Sequence, residues 1–320
     1  MLVLHETETA EALKWTDLID AIERMLRSNC VMPVRHHHDV GVPGEADATL
    51  LLMPAWVPGA YIGVKLVSVF PDNHMRGLPA IYGSYILSSG KTGKMLAVVD
   101  GGELTARRTA ATSALATRYL ARAEASHLLV VGTGRLSLNL IQAHATVRPI
   151  TRVSVWGRNR ANAEKTAEEA RLLGFDAVAC SDLEATARVA DIISCATLSS
   201  EPLVHGAWLK PGAHLDLIGA FKPSMRESDD EAVRRATIFV DTRAGAMSEA
   251  GDILQPLKAG VITEADIRGD LFDLAAGRHK GRSGDEEITL FKSVGAALED
   301  LAGAILAYET VMEPFVLQEL

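Results

Sequence analysis

The sequence predicts an α/β fold class in which a doubly wound parallel sheet is accompanied by a second, α+β domain. Two patterns carry this prediction. Between residues 128 and 240, short apolar strand patterns alternate with helical patterns, as expected for parallel strands joined by crossover helices. Before residue 104, strand patterns instead follow one another across turns rich in glycine and proline, which is typical of an antiparallel or mixed sheet.

Composition and charge limit the classes of partner that we expect. The chain has 320 residues, of which 48% are hydrophobic and 23% are charged, which is typical of a soluble protein with two domains. A formal net charge of −9 argues against nonspecific binding to nucleic acid or to an anionic membrane. The longest apolar stretch, residues 48–64, is interrupted by Pro54 and Pro58, and the N-terminus lacks the basic segment of a signal peptide. We therefore expect no membrane and no nucleic-acid partner.

Cysteines and histidines do not show the spacing of a metal site. Cys30, Cys180 and Cys195 are widely separated and odd in number, which favours buried thiols in the reducing cytoplasm. Three consecutive histidines, His36–His38, occupy an extended segment in which neighbouring side chains point to opposite faces. No acidic or cysteine partner lies at ligand spacing from them, so we predict no bound metal.

The first domain begins with an amphipathic helix at Thr16–Ser28, for which Thr16 is the candidate N-cap. A second helical pattern, Leu104–Ala121, precedes the region of strand–helix alternation, so the domain boundary is expected in or after it. Four strand patterns lie between the two helices, at Thr49–Met53, Ile62–Phe70, Ala80–Leu87 and Met95–Val99.

The second domain is predicted from six strand patterns and their intervening helices. The strands are Leu128–Val131, Arg152–Trp156, Ala177–Cys180, Ile192–Ala196, His214–Ile218 and Ile238–Val240. The helices that follow the second, third and fifth strands are Ala161–Leu173, Asp182–Val189 and Glu231–Arg235. A last helical pattern runs from near Phe291 to about Met312, and its apolar stripe is expected to return to the first domain or to join a partner subunit.

A glycine-rich turn follows the first strand of the second domain. Gly132 and Gly134 precede a helical pattern that starts at Leu136, and Ser137 stands where a third glycine is usual in a dinucleotide-binding fingerprint. Such glycines let backbone N–H groups approach a pyrophosphate at the positive end of the helix. We therefore predict a Rossmann-type nucleotide site that includes Thr133, Arg135 and Leu136, although small turn residues also occur in α/β units that bind no nucleotide.

The end of the second strand bears on the choice of cofactor. The segment Gly157-Arg158-Asn159-Arg160 has no carboxylate for a ribose 2′-hydroxyl, and the nearest acid, Glu164, falls within the next helix. Arg158 suits a 2′-phosphate, which an arginine binds in a bidentate manner. The segment favours NADPH over NADH, with NADH still possible; the alternative interpretation is a solvated basic turn.

Two further loops follow predicted strands at the edge of the sheet where open α/β proteins bind ligands. One begins at Ala196 and Thr197, and the other contains Gly219 and Phe221. Because the carboxyl ends of parallel strands meet at one edge, we expect these four residues to contribute to the same cofactor site.

The chain resembles the ornithine cyclodeaminase/mu-crystallin family, through motifs spread over nearly its whole length. A strand that contains a lysine, an Arg-Thr-Ala-Ala helix and a Phe-Lys-Ser-Val-Gly motif near the end of the chain form a specific combination. The matching segments are Met53-Pro54, Gly63–Asn73, Gly93–Asp100, Leu104–Ala111, Val130–Gly134 and Ile288–Gly295.

The resemblance implies a homodimer that uses a nicotinamide cofactor on small amino acids or cyclic imines. Residues 1–120, completed by 293–320, would form a substrate-binding and dimerisation domain, and residues 121–292 a Rossmann domain that binds NAD(P)H. The matching motifs also assign Thr109 and Ser293 to the cofactor site.

By position, Lys65 and Arg108 match the family's substrate-binding lysine and arginine, and Arg35 matches a further arginine that holds the substrate carboxylate. Paired cations suit an anionic ligand, and a lysine in an otherwise apolar strand needs an anion or a lowered pKa. Lys65 is therefore also the candidate catalytic residue, with an ordered water as the other possible proton source. Arg107, next to Arg108 on the helix, is expected at the surface.

Two departures from the family pattern distinguish its activities. The resemblance aligns Phe221 with an aspartate of the family's cyclodeaminases and Leu51 with a glutamate. Neither side chain accepts a proton, which argues against ornithine cyclodeamination. The resemblance therefore favours reduction of a cyclic ketimine, pyrroline-2-carboxylate or piperideine-2-carboxylate, to proline or pipecolate. The alternatives are an ornithine cyclodeaminase, a dehydrogenase of alanine or N-alkyl amino acids, and an NADPH-dependent small-ligand-binding protein similar to mu-crystallin.

Overall fold

The structure is a computed structural model that describes the backbone of residues 1–316 and the side chains of residues 1–313. The helices are α1 (Glu6–Ala12), α2 (Trp15–Leu26), α3 (Gly101–Leu120), α4 (Leu136–Val147), α5 (Arg160–Leu172), α6 (Leu183–Ala187), α7 (Asp230–Arg235), α8 (Arg243–Glu249), α9 (Gly251–Lys258), α10 (Leu271–Ala275) and α11 (Ala297–Val316). The strands of the first sheet are β1 (Leu2–Leu4), β2 (His36–Val40), β3 (Ala48–Val57), β4 (Tyr61–Val69), β5 (Ile81–Ser89) and β6 (Met95–Asp100). Those of the second sheet are β7 (His127–Val131), β8 (Arg152–Trp156), β9 (Asp176–Ala179), β10 (Ile192–Cys195), β11 (His214–Leu217), β12 (Thr237–Val240), β13 (Ile267–Asp270) and β14 (Thr289–Lys292).

The chain forms two compact units. The first joins Met1–Arg108 to Ala297–Leu320 and is called the outer unit, because it is formed by the two outer parts of the sequence. The second is Thr109–Ala296, the middle of the sequence, and is called the inner unit. The chain passes from one unit to the other within α3, after Arg108, and returns just before α11. The boundaries expected from sequence, 120/121 and 292/293, differ from these. They coincide with the last residue of α3 and the last residue of β14.

The outer unit contains a six-stranded mixed sheet in the order β1-β6-β5-β4-β3-β2. Strands β2 to β6 pair antiparallel in succession, and β1 pairs parallel with β6. The mixed sheet expected for this part of the chain is therefore confirmed. Helix α2 starts at Trp15 with Lys14 as its N-cap, so the prediction of a Thr16 cap was wrong.

The register of this sheet gives its two faces different environments. Met53 pairs with Lys65, Lys65 with Tyr85, and Tyr85 with Val99, so these four side chains form one row across β3 to β6. All four are buried, and α11 packs against β3, β4 and β5. The alternate positions face away from α11, and among them Leu66 is 39% exposed. One face thus carries the core of the unit and the other is an accessible apolar surface.

The inner unit contains an eight-stranded sheet, all of whose strand pairs are parallel, in the order β13-β12-β14-β11-β10-β7-β8-β9. The chain begins at β7, proceeds outward through β8 and β9, and then returns to β10 on the other side of β7. This reversal of direction creates a crevice at the carboxyl ends of β7 and β10, where open α/β sheets bind ligands. The predicted doubly wound parallel sheet is confirmed.

One predicted element was wrong. Phe291, taken as the start of the last helix, lies in β14, which is inserted between β11 and β12 in the middle of the parallel sheet. All four residues of β14 are buried, and α11 begins only at Ala297. A short apolar run that is buried on both faces has no polar alternation, so periodicity does not separate it from the beginning of a buried helix.

Candidate functional site

A buried cluster of charged side chains lies on the core face of the outer unit's sheet. Lys65 of β4 is only 3% exposed, and its Nζ donates to Oδ1 of Asp300 at 2.9 Å and lies 2.7 Å from Oδ2. The same Nζ is 3.4 Å from Oγ1 of Thr105 on α3. Asp300 is in the first turn of α11, so a residue from near the end of the chain pairs with one from its first quarter.

Arg108 joins this cluster from α3. Its Nε donates to Oδ1 of Asp300 at 3.0 Å and its Nη1 donates to Oε2 of Glu299 at 2.7 Å. The two neighbouring carboxylates of α11 thereby orient the guanidinium, and Asp300 contacts both Arg108 and Lys65. A charge this deeply buried needs such a partner, because removal from water strongly disfavours its ionised form.

Burial and pairing shift the pKa values of the cluster in different directions. Burial lowers the pKa of Lys65 to about 8, with Asp300 acting in the opposite sense and Arg108 and Arg35 adding to the decrease. Burial also raises the pKa of the Asp300 carboxyl, but Arg108 and Lys65 outweigh it and hold that pKa below its usual range. Lys65 is thus a cation that loses its proton near pH 8, beside a carboxylate that stays ionised.

Arg35 directly precedes β2, and its charge lies near the buried row. The first residue of β2, His36, pairs with Leu52, which is next to Met53 on β3. The effect of Arg35 on the pKa of Lys65 agrees with this placement. The three cations predicted to hold a substrate carboxylate therefore belong to one region of the outer unit.

Leu51 is on the same face of β3 as Met53, because residues two apart in a strand point the same way. It pairs with Val67, two residues along β4 from Lys65. The position where the cyclodeaminases carry a glutamate is therefore apolar and close to the lysine along the sheet.

Arg107 does not lie free at the surface, so that prediction was wrong. Its Nε donates to Glu103 at 2.8 Å, its Nη1 donates to the carbonyl oxygen of Leu13 at 3.0 Å, and its guanidinium lies over the ring of Trp15. An arginine stem and plane cover apolar surface readily, so a helix position adjacent to a buried arginine can serve packing instead of solvation.

The inner unit has a cleft at the carboxyl ends of its central strands. The lining comes from the turns after β7, β8 and β10 together with the start of α5. Its residues are Gly132, Thr133, Trp156, Gly157, Arg158, Asn159, Asn162, Ala196, Thr197, Leu198, Ser199 and Leu203. Seven predicted cofactor residues are brought together here: Gly132, Thr133, Gly157, Arg158, Asn159, Ala196 and Thr197.

The turn after β7 requires glycine at Gly132. Its φ is +125°, and a Cβ there would lie 2.6 Å from the carbonyl oxygen of Ala196. Ser137, the substitute for the third glycine, is fully buried and its Oγ donates to the carbonyl oxygen of Gly132 at 3.0 Å. The serine thus fastens α4 to the turn. Gly134 and Arg135 are exposed at the start of α4, and a Cβ at Gly134 would meet nothing within 4 Å.

This local geometry fits a dinucleotide phosphate. The turn backbone is open at Gly134, and α4 begins directly after Arg135, so its N-terminal N–H groups point toward the turn. Leu136 is the first residue of α4. These residues would hold the pyrophosphate of a nicotinamide cofactor through backbone donors.

Neighbouring residues in the segment after β8 have different structural roles. The Asn159 side chain caps α5 by accepting from the N–H groups of Ala161, at 2.9 Å, and Asn162, at 3.4 Å. Arg158 is exposed at the cleft, and Arg160 is the first residue of α5. The nearest acid in sequence, Glu164, lies inside α5 as expected.

The remaining predicted cofactor residues do not line the cleft. Thr109 is a buried residue of α3, and Phe221 is 39% exposed in the loop after β11, with Lys222 over its ring. Gly219 is buried in the same loop. Ser293 is buried, and its Oγ donates to Oδ2 of Asp241 at 2.9 Å.

Three important carboxylates were missed by the analysis of sequence. Asp300 and Glu299 organise Lys65 and Arg108, and Glu227 accepts the N–H of Thr197 at 2.7 Å beside the cleft. The only local signal is an acidic pair within the apolar stretch that opens α11. Acidic residues in a helix usually face water, and their burial here depends on contacts more than 100 positions distant.

Among the residues that the structure describes, no group of three or more histidine, cysteine, aspartate and glutamate side chains is arranged to hold a metal ion. His36–His38 form part of the exposed strand β2. No described helix has the length and apolar character needed to cross a membrane.

We expect the substitution Asp300→Asn to lower the free energy of unfolding by about 3–5 kcal/mol near pH 6, because it leaves two buried cations without their shared carboxylate. Without Asp300 the pKa of Lys65 falls below about 8. The variant then loses the Lys65 proton at a lower pH than wild type, so the destabilisation shrinks as the pH rises from about 6 to about 8 and is constant above that.

Urea denaturation across this pH range measures the effect. The control is Asp39→Asn on the exposed strand β2, which should change stability by less than about 0.5 kcal/mol at every pH. A destabilisation by Asp300→Asn that does not vary with pH would contradict the coupling to Lys65.

Comparisons with known proteins identify relatives that match most of this chain. A Delta(1)-pyrroline-2-carboxylate reductase of Paracoccus denitrificans is 39% identical over 290 residues, which are 90% of this chain and 90% of the relative. The ketimine reductase mu-crystallin of Rattus norvegicus is 34% identical over 260 residues, which are 81% of this chain and 79% of the relative.

Two solved structures share the architecture of the whole chain. That of Thermococcus litoralis Delta(1)-pyrroline-2-carboxylate reductase, in complex with NADH and L-proline, matches with a TM-score of 0.91 and 35% identity, covering 98% of both chains. An archaeal alanine dehydrogenase dimer with bound NAD matches with a TM-score of 0.89 and 30% identity, also covering 98% of both chains.

The family model of these proteins matches residues 1–314 of this chain. Relatives more than 30% identical over most of the length agree with this match, which confirms the family expected from the sequence motifs. The chain belongs to the ornithine cyclodeaminase/mu-crystallin family.

Proposed function

We propose that this protein reduces a cyclic imino acid, pyrroline-2-carboxylate or piperideine-2-carboxylate, to L-proline or L-pipecolate. The observation that carries the proposal is the buried pair of cations, Lys65 and Arg108, held on one face of the outer unit's sheet by Asp300. The chain is an NAD(P)H-dependent oxidoreductase that acts on a C=N bond, as its relatives named pyrroline-2-carboxylate reductase and ketimine reductase indicate.

Arg35, Lys65 and Arg108 bind the carboxylate of the imino acid. A guanidinium donates from three nitrogens, and the contacts to Asp300 and Glu299 use Nε and Nη1 of Arg108. We assign Nη2 to the substrate carboxylate, because planar pairing with arginine orients a carboxylate well. Fixing the carboxylate also fixes the adjacent C=N carbon, which is the atom that is reduced.

Lys65 supplies the proton for the imine nitrogen. A pKa of about 8 lets it carry the proton at neutral pH and release it at small free-energy cost. Asp300 remains ionised beside it and keeps the ammonium group oriented. The reduced nicotinamide, when bound, supplies the hydride.

The apolar residues at the two positions that differ from cyclodeaminases support reduction. Leu51 is on the same face as Lys65, and Phe221 follows β11 with an exposed ring. Neither side chain holds a second ammonium group or accepts a proton, both of which ring closure of ornithine requires. An apolar side chain on the same face as Lys65 suits an imino acid ring and excludes water from the electrophilic carbon.

The cofactor is NADPH by preference, with NADH also used. Related structures contain NADH or NAD, which supports a nicotinamide nucleotide in the cleft of the inner unit. The preference for the phosphorylated form rests on Arg158, which is exposed at the cleft. No carboxylate is among the lining residues of the cleft to repel a 2′-phosphate.

Oxidation of NADPH and NADH, followed by the loss of absorbance of the reduced cofactor, tests the reaction. Pyrroline-2-carboxylate and piperideine-2-carboxylate are offered separately, and ornithine with NAD is the control. We expect turnover of at least one imine and none of ornithine. Turnover of ornithine would contradict the assignment, as would tight binding of NADPH with no reduction of either imine, which is the behaviour of a ligand-binding protein.

Replacing Arg158 by aspartate should shift the preference from NADPH toward NADH. The change removes a cation and places a carboxylate where a 2′-phosphate would lie, so we expect the ratio of kcat/KM values for NADPH and NADH to fall by at least about tenfold. The control is Lys165→Asp, which makes the same charge change at an exposed position of α5 outside the cleft lining. An unchanged ratio for Arg158→Asp, or an equal shift for the control, would refute the role of Arg158.

We propose a homodimer formed through the accessible face of the outer unit's sheet. That face presents large apolar side chains on adjacent strands, including Ile62 at 40%, Leu66 at 39% and Tyr82 at 46% exposure. Contiguous apolar surface of this kind is unusual on a monomer and typical of a protein interface. The related archaeal alanine dehydrogenase was solved as a dimer, which supports a second copy of this chain as the occupant.

Leu66→Arg should convert the dimer into a monomer, because it places a charge in the middle of the apolar face. Sedimentation velocity or light scattering gives the mass directly. Leu172→Arg is the matched control, since Leu172 is 83% exposed on α5 of the inner unit, and it should leave the mass unchanged. A wild-type protein with the mass of one chain would contradict the proposal.

A further inference from the structure

Glu227 is a fully buried carboxylate that accepts hydrogen bonds from two separate loops. Its Oε1 accepts from the N–H of Thr197 at 2.7 Å and from Oγ1 of the same residue at 2.8 Å. Its Oε2 accepts from the N–H groups of Gly219 at 2.8 Å and Ala220 at 3.2 Å. One side chain therefore joins the loop after β10 to the loop after β11.

The two loops are in close contact at this point. A Cβ on Gly219 would lie 2.1 Å from both the backbone nitrogen and the backbone oxygen of Thr197. Their N–H groups lie beyond the ends of the strands, where sheet pairing no longer supplies acceptors. A carboxylate with two oxygens is the side chain that satisfies donors from both loops at once.

A second set of contacts fixes the position of Glu227. Oδ1 of Asp252, at the start of α9, accepts from the N–H groups of Glu227 at 2.8 Å and Ser228 at 3.1 Å. Nζ of Lys292, at the end of β14, lies 3.0 Å from Oδ2 of Asp252 and 3.9 Å from Oε2 of Glu227. Burial raises the pKa of Glu227 to about 7, while Lys292 opposes the shift. This backbone and charge support comes from elements that do not line the cleft.

We propose that Glu227 is a positioning residue that sets the shape of the cofactor cleft by holding the loops after β10 and β11 together. Thr197 lines the cleft and is bonded to Glu227 through both its backbone and its side chain. Loss of this acceptor would release the loop of Thr197 from the loop of Gly219, and the cleft would widen. The inference rests on the proposed function only in taking this cleft as the nicotinamide site.

The substitution Glu227→Gln tests the role of the carboxylate at nearly constant volume. A carboxamide accepts through one oxygen and presents an NH₂ group to the other loop, so one set of N–H groups loses its acceptor. We expect the amides of Thr197 or of Gly219 and Ala220 to exchange hydrogen at least about tenfold faster than in wild type. The amides of Ala196 and Ile218, which donate to backbone oxygens, should keep their protection.

The same variant should bind NADH at least about tenfold more weakly, as measured by the fluorescence of the bound cofactor. We expect a matching rise in KM for the cofactor with a smaller change in kcat at saturation, because the residue acts on binding geometry and not on the reacting atoms. Unchanged exchange at all three amides, or faster exchange with unchanged NADH affinity, would overturn the proposal.

Asp191→Asn is the matched control for a general loss of stability. Asp191 is also a nearly buried carboxylate, and its Oδ2 accepts the N–H groups of Ser126 at 2.9 Å and His127 at 3.0 Å. It precedes β10 and therefore lies at the opposite edge of the sheet from the cleft. This variant should be destabilised but should keep the wild-type affinity for NADH; an equal loss of affinity would show that the effect of Glu227→Gln is not positional.

Thr197→Val is the second variant, for use if Glu227→Gln does not fold. It removes the hydroxyl, which donates to Glu227 at 2.8 Å and accepts the N–H of Ser199 at 3.4 Å, and it keeps the shape of the side chain. We expect faster exchange at the Thr197 amide and weaker NADH binding, as for Glu227→Gln. Wild-type exchange and affinity in this variant would then overturn the proposal. Failure of the wild-type protein to bind either NADPH or NADH would instead refute the proposed function. Hydrogen exchange would then still report on the role of Glu227.

Discussion

Both candidate sites depend on a carboxylate that is buried away from water and must find its hydrogen-bond donors within the protein. In each unit a carboxylate is surrounded by donors that come from separate segments of the chain: Asp300 by Lys65 and Arg108, and Glu227 by Thr197 and Gly219. A buried charge is tolerated only when its hydrogen-bonding capacity is met, so each of these residues ties several segments into one arrangement. The geometry of the sites follows from this requirement as much as from the packing of apolar residues.

In the outer unit the constraint explains why the last helix belongs with the first strands. Lys65 and Asp300 are 235 positions apart in sequence, yet they form an ion pair that is almost completely excluded from solvent. The chain leaves the unit within α3 and returns at Ala297, so that the acidic first turn of α11 reaches both cations. The pairing also lowers the cost of keeping Lys65 charged in a core position, and its pKa of about 8 is the balance between burial and Asp300.

In the inner unit the same principle operates at the edge of a parallel sheet. Strands β7, β10 and β11 end side by side, and the loops that follow them contain backbone donors that the sheet no longer satisfies. Glycine allows the loops to approach one another at Gly132 and Gly219. Glu227 then accepts from the N–H of Gly219, and Ser137 donates to the carbonyl oxygen of Gly132. The cleft is therefore formed by a set of satisfied backbone groups, which gives a nucleotide a prearranged surface and limits the entropy lost on binding.

The sequence by itself determined the parallel sheet, the glycine turn and the cations. Three local signals carried these predictions: alternating strand and helix patterns, Gly132 after an apolar strand, and Lys65 within a second apolar strand. Each signal depends only on the preferences of residues that are close in sequence. The same local analysis misplaced Phe291, since a short buried strand and the start of a buried helix share one apolar pattern.

Only the tertiary structure decided which polar residues act together. Apart from the apolar stretch around Asp300, the neighbouring sequence does not distinguish Asp300 or Glu227 from an exposed acid. Arg107 likewise resembles its neighbour Arg108, although it packs on Trp15. Their roles depend on donors contributed by remote segments, and a donor's position in space is a property of the folded chain and not of its local pattern. The physical reason is that the free energy of a buried charge is set by all of its surroundings at once, whereas a sequence motif records only those next to it along the chain.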